Sequence, residues 1–391
     1  MKLLVIGMGQ CGGRIADEFA KLNKRAISQR GIEIVTGAFA VNSDAADLSG
    51  LTCIRRDYQH RILIGGRKTG GHGVGKVNEL GAEIARADAD KVIDAIRTTK
   101  RFHETDAFML IGSAGGGTGS GSLSVITKHV KERYPDKPAL AAVVLPFEHE
   151  ETTEERTTYN TATCLKSTYA AADAVFLIDN QRYIQKDSSL KNNLSKINQL
   201  IAEPFYGILC AGEEKKTKYI GAKLLDAGDI MQTLVGWTVL GYGSSELPLF
   251  RNPFKRNRDF DKKGAETQKG IQAMDAAISE LSLTCEPSDA SRALYLVSAP
   301  SADMNVDLIK ELGEYLRAMA PNAVIRNGDY PRKKGNLDVS IIFSELSNVD
   351  KVRDYYMKSS ALIPKMKRRE EETADNLKDL EESSKAVPSL L

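Results

Sequence analysis

Short, almost continuously apolar runs alternate along the first half of the chain with stretches whose apolar residues recur at helical spacing. Residues 3–6, 34–41, 107–111, 139–145 and 174–178 are apolar on both faces of an extended backbone. Such runs suit parallel strands covered by helices on both sides. Residues 13–22, 77–98 and 122–133 read as the helices between them. Strand, loop and helix in repetition predict an α/β, doubly wound and mostly parallel sheet.

Leu190, Leu194, Ile197, Leu200 and Ile201 then mark a long helix over about 189–209. A polar, lysine-rich segment follows at 212–218, then a predicted helix over 229–240 and a charged loop over 251–264. Past that loop the pattern changes. A helix at 268–281, a strand at 293–297, a helix at 307–319 and strands at 323–326 and 337–343 predict a smaller α/β unit. From Val349 onward the chain is highly charged and reads as a helix, closing on the short apolar Val387-Pro388-Ser389-Leu390-Leu391.

Composition narrows the function classes. The 391 residues suffice for two domains, and 42% hydrophobic with 27% charged residues is the balance of a globular protein. A net charge of +2 argues against a dedicated nucleic-acid binder. The basic run 365–369 is answered at once by Glu370, Glu371 and Glu372, so it reads as a solvated helix face. Cys11, Cys53, Cys164, Cys210 and Cys285 are odd in number and widely spaced, which points to free thiols in a reducing compartment. No segment has the roughly 20 apolar residues that span a bilayer. The expectation is a cytoplasmic protein without direct membrane insertion.

The candidate chemistry lies in glycine-rich loops. Gly7-Met8-Gly9-Gln10-Cys11-Gly12 follows the first strand and opens a helix, where unpaired N–H groups and the helix dipole favour an anion. Alone it is a weak dinucleotide fingerprint, and the acidic residue such a fingerprint wants is late, in Asn42-Ser43-Asp44. The stronger feature is Gly112-Ser113-Ala114-Gly115-Gly116-Gly117-Thr118-Gly119-Ser120-Gly121, with six glycines in ten residues between a strand and a helix. Successive N–H groups there can converge on phosphate oxygens, with the Thr118 and Ser120 hydroxyls adding donors. A flexible linker would not be bracketed by a buried strand and an amphipathic helix. In a third loop, Gly70 to Lys76 nearly spells a P-loop, but Val77 stands where Ser or Thr would meet Mg²⁺. Nothing marks Cys11 as a nucleophile, and neither His72 nor His149 has a triad partner.

Gly115-Gly116-Gly117-Thr118-Gly119-Ser120-Gly121 resembles the GGGTGSG signature of the tubulin/FtsZ superfamily. Gly9-Gln10-Cys11-Gly12 is similar to the first nucleotide loop of tubulins, Asn42-Ser43-Asp44-Ala45 to the second loop of FtsZ, and Thr69-Gly70-Gly71-His72-Gly73 to the third. Pro146-Phe147 with Glu150 resembles the ribose-binding loop. With Leu225-Asp226-Ala227-Gly228-Asp229, the mixture looks most like the archaeal CetZ group, and the resemblance runs to about residue 345.

That resemblance implies a GTP-binding domain over 1–188, a central helix over 189–211, a C-terminal domain over 212–345 with an acidic loop at 222–229, and a charged segment over 346–391. It implies GTP and GDP as ligands, with Mg²⁺, and self-association into filaments in which the next subunit supplies the acids that position the attacking water. Asp226 and Asp229 match those acids, and spacing of three at a helix start sets both carboxylates near one face. Asp229 capping the helix is compatible with that role. The Asn that precedes the acids in the family is Leu224 here, and the ribose-loop arginine is displaced, with Glu154 at its expected place and Arg156 beyond. Asn198 is the candidate for reading the base and Asn180 the second base or ribose candidate. The resemblance further implies cytoskeletal work in cell shape or division and adaptor binding through the C-terminal tail. Three rivals remain: a divergent member without dynamic filaments, a Rossmann-type NAD(P)-dependent oxidoreductase, and a P-loop ATPase dependent on Lys76.

Overall fold

The computed structural model describes residues 1–184, 190–247, 259–333 and 335–388. Its strands are β1 (Leu3–Met8), β2 (Val35–Asn42), β3 (Arg61–Leu63), β4 (Ala107–Ser113), β5 (Ala139–Leu145), β6 (Ala174–Asp179), β7 (Gly236–Ser245), β8 (Ala290–Pro300), β9 (Val324–Arg332) and β10 (Leu337–Leu346). Among the described residues they form one sheet, in the order β3-β2-β1-β4-β5-β6-β7-β10-β8-β9. From β3 to β7 the neighbours run parallel, whereas β10 is antiparallel to both β7 and β8, and β9 returns parallel to β8.

The helices of the first half are α1 (Gly9–Arg30), α2 (Ala45–Ser49), α3 (Gly66–Thr69), α4 (Asn78–Ala87), α5 (Ala89–Arg97), α6 (Thr118–Arg133), α7 (Glu148–Thr153), α8 (Glu155–Ala171) and α9 (Gln181–Ile184). Those of the second half are α10 (Leu190–Ala211), α11 (Ala227–Thr233), α12 (Asp259–Ser279), α13 (Val306–Met319) and α14 (Asp350–Ser384). Alternate residues of the central strands feed two separate cores, as a period of two requires. Leu4, Ile6, Phe108, Leu110 and Val143 join Ile84, Val92, Ile126 and Leu165 on one face. Leu3, Val5, Met109, Ile111 and Leu140 join Phe19, Ile197 and Phe205 on the other.

The first five expected strands are all present, and the central helix α10 lies against α1. Phe205 of α10 stands 5.3 Å from Phe19 of α1 and 5.1 Å from Phe176 of β6, ring centre to ring centre. Arg25 of α1 grips Glu203 through two hydrogen bonds of 3.0 and 2.6 Å and lies over the Tyr206 ring. The two halves are one sheet because β6 and β7 pair, Ala174 with Gly236, Val175 with Trp237 and Phe176 with Thr238.

Three expectations need correction. The helix expected over 229–240 ends at Thr233, and residues from Gly236 form β7. Gly236 turns the chain at φ +57°, and the Trp237-Thr238-Val239-Leu240 run suits an internal strand better than a helix. The helix expected over 77–98 is two, broken at Asp88, whose carboxylate accepts the Gly65 N–H at 2.7 Å. The helix expected from Ser122 begins at Thr118, so the end of the glycine run is already helical. The charged loop expected over 251–264 lies outside the described residues up to 258, and from Asp259 the chain is already α12; residues 389–391 also lie outside the described residues.

α14 runs along α8 and reaches the loops at the end of the parallel strands. Tyr355 donates to Glu151, Lys351 lies 3.5 Å from Asp179 and Arg369 2.7 Å from Glu155. Among the described residues no helix is long and apolar enough to cross a membrane. Because Phe205 joins three elements while 6% exposed, Phe205→Ala is expected to cost about 3–5 kcal/mol, read as a shift in the denaturant midpoint.

Candidate functional site

β1 and β4 are neighbours within the parallel part of the sheet, and each turns at its carboxyl end into a helix. The two turns touch backbone to backbone. Gly9 sits at φ +69°, and a Cβ on it would come within 2.9 Å of the Gly119 nitrogen. A Cβ on Gly12 would lie 2.1 Å from the Ile111 carbonyl oxygen. The third loop closes on the same place, since a Cβ on Gly117 would meet Val74 at 2.6 Å and the Lys76 backbone at 2.9 Å. Gly116 faces more open space, its nearest neighbour being the Ser113 hydroxyl at 3.7 Å.

In front of these turns lies a cleft of about 440 Å³. It brings together Gly9, Gln10, Cys11, Asn42, Asp44, Gly73, Gly115, Gly116, Gly117, Thr118 and Gly119. Pro146 and Glu150 after β5, Asn180 after β6 and Asn198 of α10 complete the wall among the residues singled out from sequence. Gly12, Gly70, Gly71, His72, Ser120 and Gly121 do not line it. Gly121 instead presses on α4, where a Cβ would sit 2.2 Å from the Asn78 carbonyl oxygen. The Ser120 hydroxyl, expected as a phosphate donor, is buried and donates to the Gly116 carbonyl. Thr118 and Ser43 share a hydroxyl hydrogen bond of 2.6 Å that ties the glycine run to the end of β2.

Polar groups in the cleft are mostly braced by one another. Asp44 caps α2, its Oδ1 accepting the N–H groups of Ala46 at 2.8 Å and Asp47 at 3.0 Å. Asp47 accepts from Gln10 at 2.6 Å and from Asn42 at 3.1 Å. Glu150 accepts the Phe147 N–H at 3.0 Å with one carboxylate oxygen. The buried side-chain oxygen of Asn180 has no hydrogen-bond partner among the described residues. Such an orphan is costly unless a ligand supplies a donor. Loss of hydration within the cleft, helped by the Glu150 charge, pushes the Cys11 thiol up to about 12. It is therefore neutral near pH 7 and acts as packing.

The sequence reading missed Arg14 and Asp47, which line the cleft, while Ser113 of the glycine run, Phe147 beside Pro146, and His149 line it as well. Arg14 lies one helical turn past Gln10 on α1, a spacing that could have pointed to it. Lys76 also lines the cleft, held at φ +61° with its ammonium 2.6 Å from Glu154. It does not sit in a strand–loop–helix P-loop, since α3 separates it from β3 and Glu154 takes its charge. Arg156 turns away to the Lys76 carbonyl and to Glu79, bracing the third loop from behind.

Asp226 and Asp229 lie elsewhere. Asp226 caps α11, accepting the Asp229 N–H at 2.8 Å. The α11 helix leads into Gly236, which pairs with Ala174 at the amino end of β6. The cleft uses the other end of β6, at Asn180. β6 has six residues, about 20 Å of strand, so the acids and the cleft sit at opposite ends of the sheet. Among the described residues no group of three or more His, Cys, Asp or Glu side chains is arranged to hold a metal ion.

Comparison with known proteins gives matches over most of the chain. Residues 2–186 match the Tubulin/FtsZ family, GTPase domain, and residues 187–361 match the Tubulin-like CetZ, C-terminal domain. The chain is 32% identical over 372 residues to Tubulin-like protein CetZ1 of Haloferax volcanii, covering 90% of each. It is 33% identical over 369 residues to CetZ4 of the same organism, again covering 90% of each. A solved GDP-bound monomer of CetZ1 from Haloferax volcanii superposes with a TM-score of 0.79 at 30% identity, covering 92% of this chain and 99% of that one. The GTPgS-bound protofilament of CetZ2 from Haloferax volcanii gives a TM-score of 0.80 at 26% identity, covering 94% and 100%. With glycine loops converging at the strand ends and matches that span both halves, this chain belongs to the tubulin-like CetZ proteins of the Tubulin/FtsZ family.

Proposed function

We propose that this protein is a GTPase that polymerises head to tail into protofilaments. Each nucleotide is hydrolysed where the cleft of one subunit meets α11 of the next, and the filaments serve cell shape or cell division. The observation that carries this reading is the separation of the two halves of the chemistry. The glycine loops lie at the carboxyl ends of the parallel strands, and the exposed acids of α11 lie at the amino ends. A cleft at one end and its acids at the other cannot meet within a subunit, but stacking repeats brings them together. Such a contact is heterologous and does not close on itself, which produces a filament. A relative, CetZ2, solved as a GTPgS-bound protofilament, supports filament formation with bound nucleotide.

Phosphoryl transfer to water asks for positioning and charge stabilisation rather than covalent help. The backbone N–H groups of Gly115, Gly116 and Gly117 and the start of α6 offer donors to phosphate oxygens. Glu150 has one carboxylate oxygen committed to the Phe147 N–H and the other available to a ribose hydroxyl. The unpartnered Asn180 oxygen suits a donor on the base or ribose, and Asn198 lines the same cleft. The substrate is the magnesium complex of GTP. Asp226 and Asp229 of the neighbour orient the attacking water.

GTP turnover per subunit is expected to rise with protein concentration and level off once subunits are assembled. A rate that stays constant down to fully dissociated protein would put catalysis inside one subunit and defeat the reading. Asp226→Asn with Asp229→Asn keeps a capping oxygen for α11 while removing both charges. This variant is expected to bind GTP as the wild type does and to hydrolyse it at least about a hundredfold more slowly. Phosphate release under single-turnover conditions, beside a nucleotide titration, separates the two effects.

A further inference from the structure

α11 is held against the sheet by β9, the strand at its far edge. The buried carboxylate of Asp329 accepts the N–H of Ala222 at 2.9 Å and of Lys223 at 2.6 Å, and the Asp329 N–H donates back to the Lys223 carbonyl at 3.1 Å. The loop leading into α11 is thereby fixed to the backbone of β9. Three residues earlier on β9, the Arg326 guanidinium donates to the Gln232 side-chain oxygen at 2.6 Å and stands 3.6 Å from Asp229 Oδ1. Arg292 of β8 donates to the Gln232 carbonyl and bonds Glu345 at 2.7 Å. Asp229 and Gln232 are three apart on the helix and share a face, so one planar guanidinium reaches both.

We infer that Arg326 is a positioning residue for hydrolysis: it locks Asp229 to Gln232 and sets the direction in which the Asp229 carboxylate meets the nucleotide of the adjoining subunit. This rests on the reading of Asp229 as a hydrolytic acid. Asp226 is already fixed by its own helix, since its Oδ1 accepts the Asp229 N–H. Asp229 has no such tether within α11, and the only ion pair described for it is with Arg326. The Asp229 side chain is 43% exposed, so the pair adds little to folding. Its effect is orientation. An acid that positions water is sensitive to displacement, and a misplacement near 1 Å costs up to about a hundredfold in rate. Lysine can pair with Asp229 but lacks the planar fork that fixes Asp229 and Gln232 in one geometry, so it replaces the contact only in part.

The test uses the full chain with Arg326→Ala, Arg326→Lys and Asp229→Asn. Turnover is measured per pelleted subunit at saturating GTP, GTP affinity on dilute protein, and pelleting with a slowly hydrolysed GTP analogue. Arg326→Ala is expected to turn over GTP between about tenfold and a hundredfold more slowly, with unchanged GTP affinity and normal pelleting with the analogue. Arg326→Lys is expected to fall between Arg326→Ala and the wild type. Wild-type turnover by Arg326→Ala, alongside an inactive Asp229→Asn, overturns the positioning role and leaves the acid assignment standing. Loss of pelleting with the analogue in both Arg326 variants makes Arg326 an assembly residue and also overturns it. Wild-type turnover by Asp229→Asn instead removes the acid assignment itself.

Discussion

The contact on which the rest depends is the meeting of two backbones at the carboxyl ends of β1 and β4. Gly9 and Gly12 bring the start of α1 within van der Waals distance of the turn after β4, where any side chain would collide with main-chain atoms. Because those turns touch, α1 and α6 begin side by side at the carboxyl ends of neighbouring strands, and both point their first N–H groups outward. Val74 and Lys76 then pack against Gly117, and Thr118 is tied to Ser43, so the second and third loops take their places from the first contact. The cleft is the space left in front of this junction.

The same sheet carries that geometry across the molecule. β7 pairs with β6, so the C-terminal strands are hydrogen-bonded to the strands that bear the cleft. α10 spans the same distance on one face, wedged between α1 and β6 by Phe205. On the other face α14 returns to the cleft side through Tyr355 and Lys351, which engage Glu151 and Asp179 beside Glu150 and Asn180. Both ends of the subunit are therefore parts of one packed body.

Much of this was legible in sequence because the signals were local. Buried parallel strands are continuously apolar, and glycine runs at their ends mark turns whatever else the chain does. What escaped depended on distant partners. Gly236 to Leu240 reads as helix when taken with α11, and only pairing with β6 and β10 makes it a strand. Asp88 breaks a helix because it serves Gly65, far back in the chain. Ser120 looks like a ligand donor until α6 is seen to begin at Thr118, which turns its hydroxyl onto Gly116. Arg14 and Asp47 carry no motif of their own, and their place at the cleft follows from where α1 and α2 start. Arg326 reaches Asp229 only through the fold of the C-terminal strands.

The glycine string also has a consequence for descent. Three of its glycines are required by packing: Gly117 by the third loop, Gly119 by the ends of β1 and β4, and Gly121 by α4. A descendant that had lost every use for nucleotide would still need them in order to fold. The string is therefore a record of ancestry more than a certificate of activity. In a lineage drifting away from hydrolysis, positions with room beside them, such as Gly116, would be the first free to change, while the rest of the signature stayed intact.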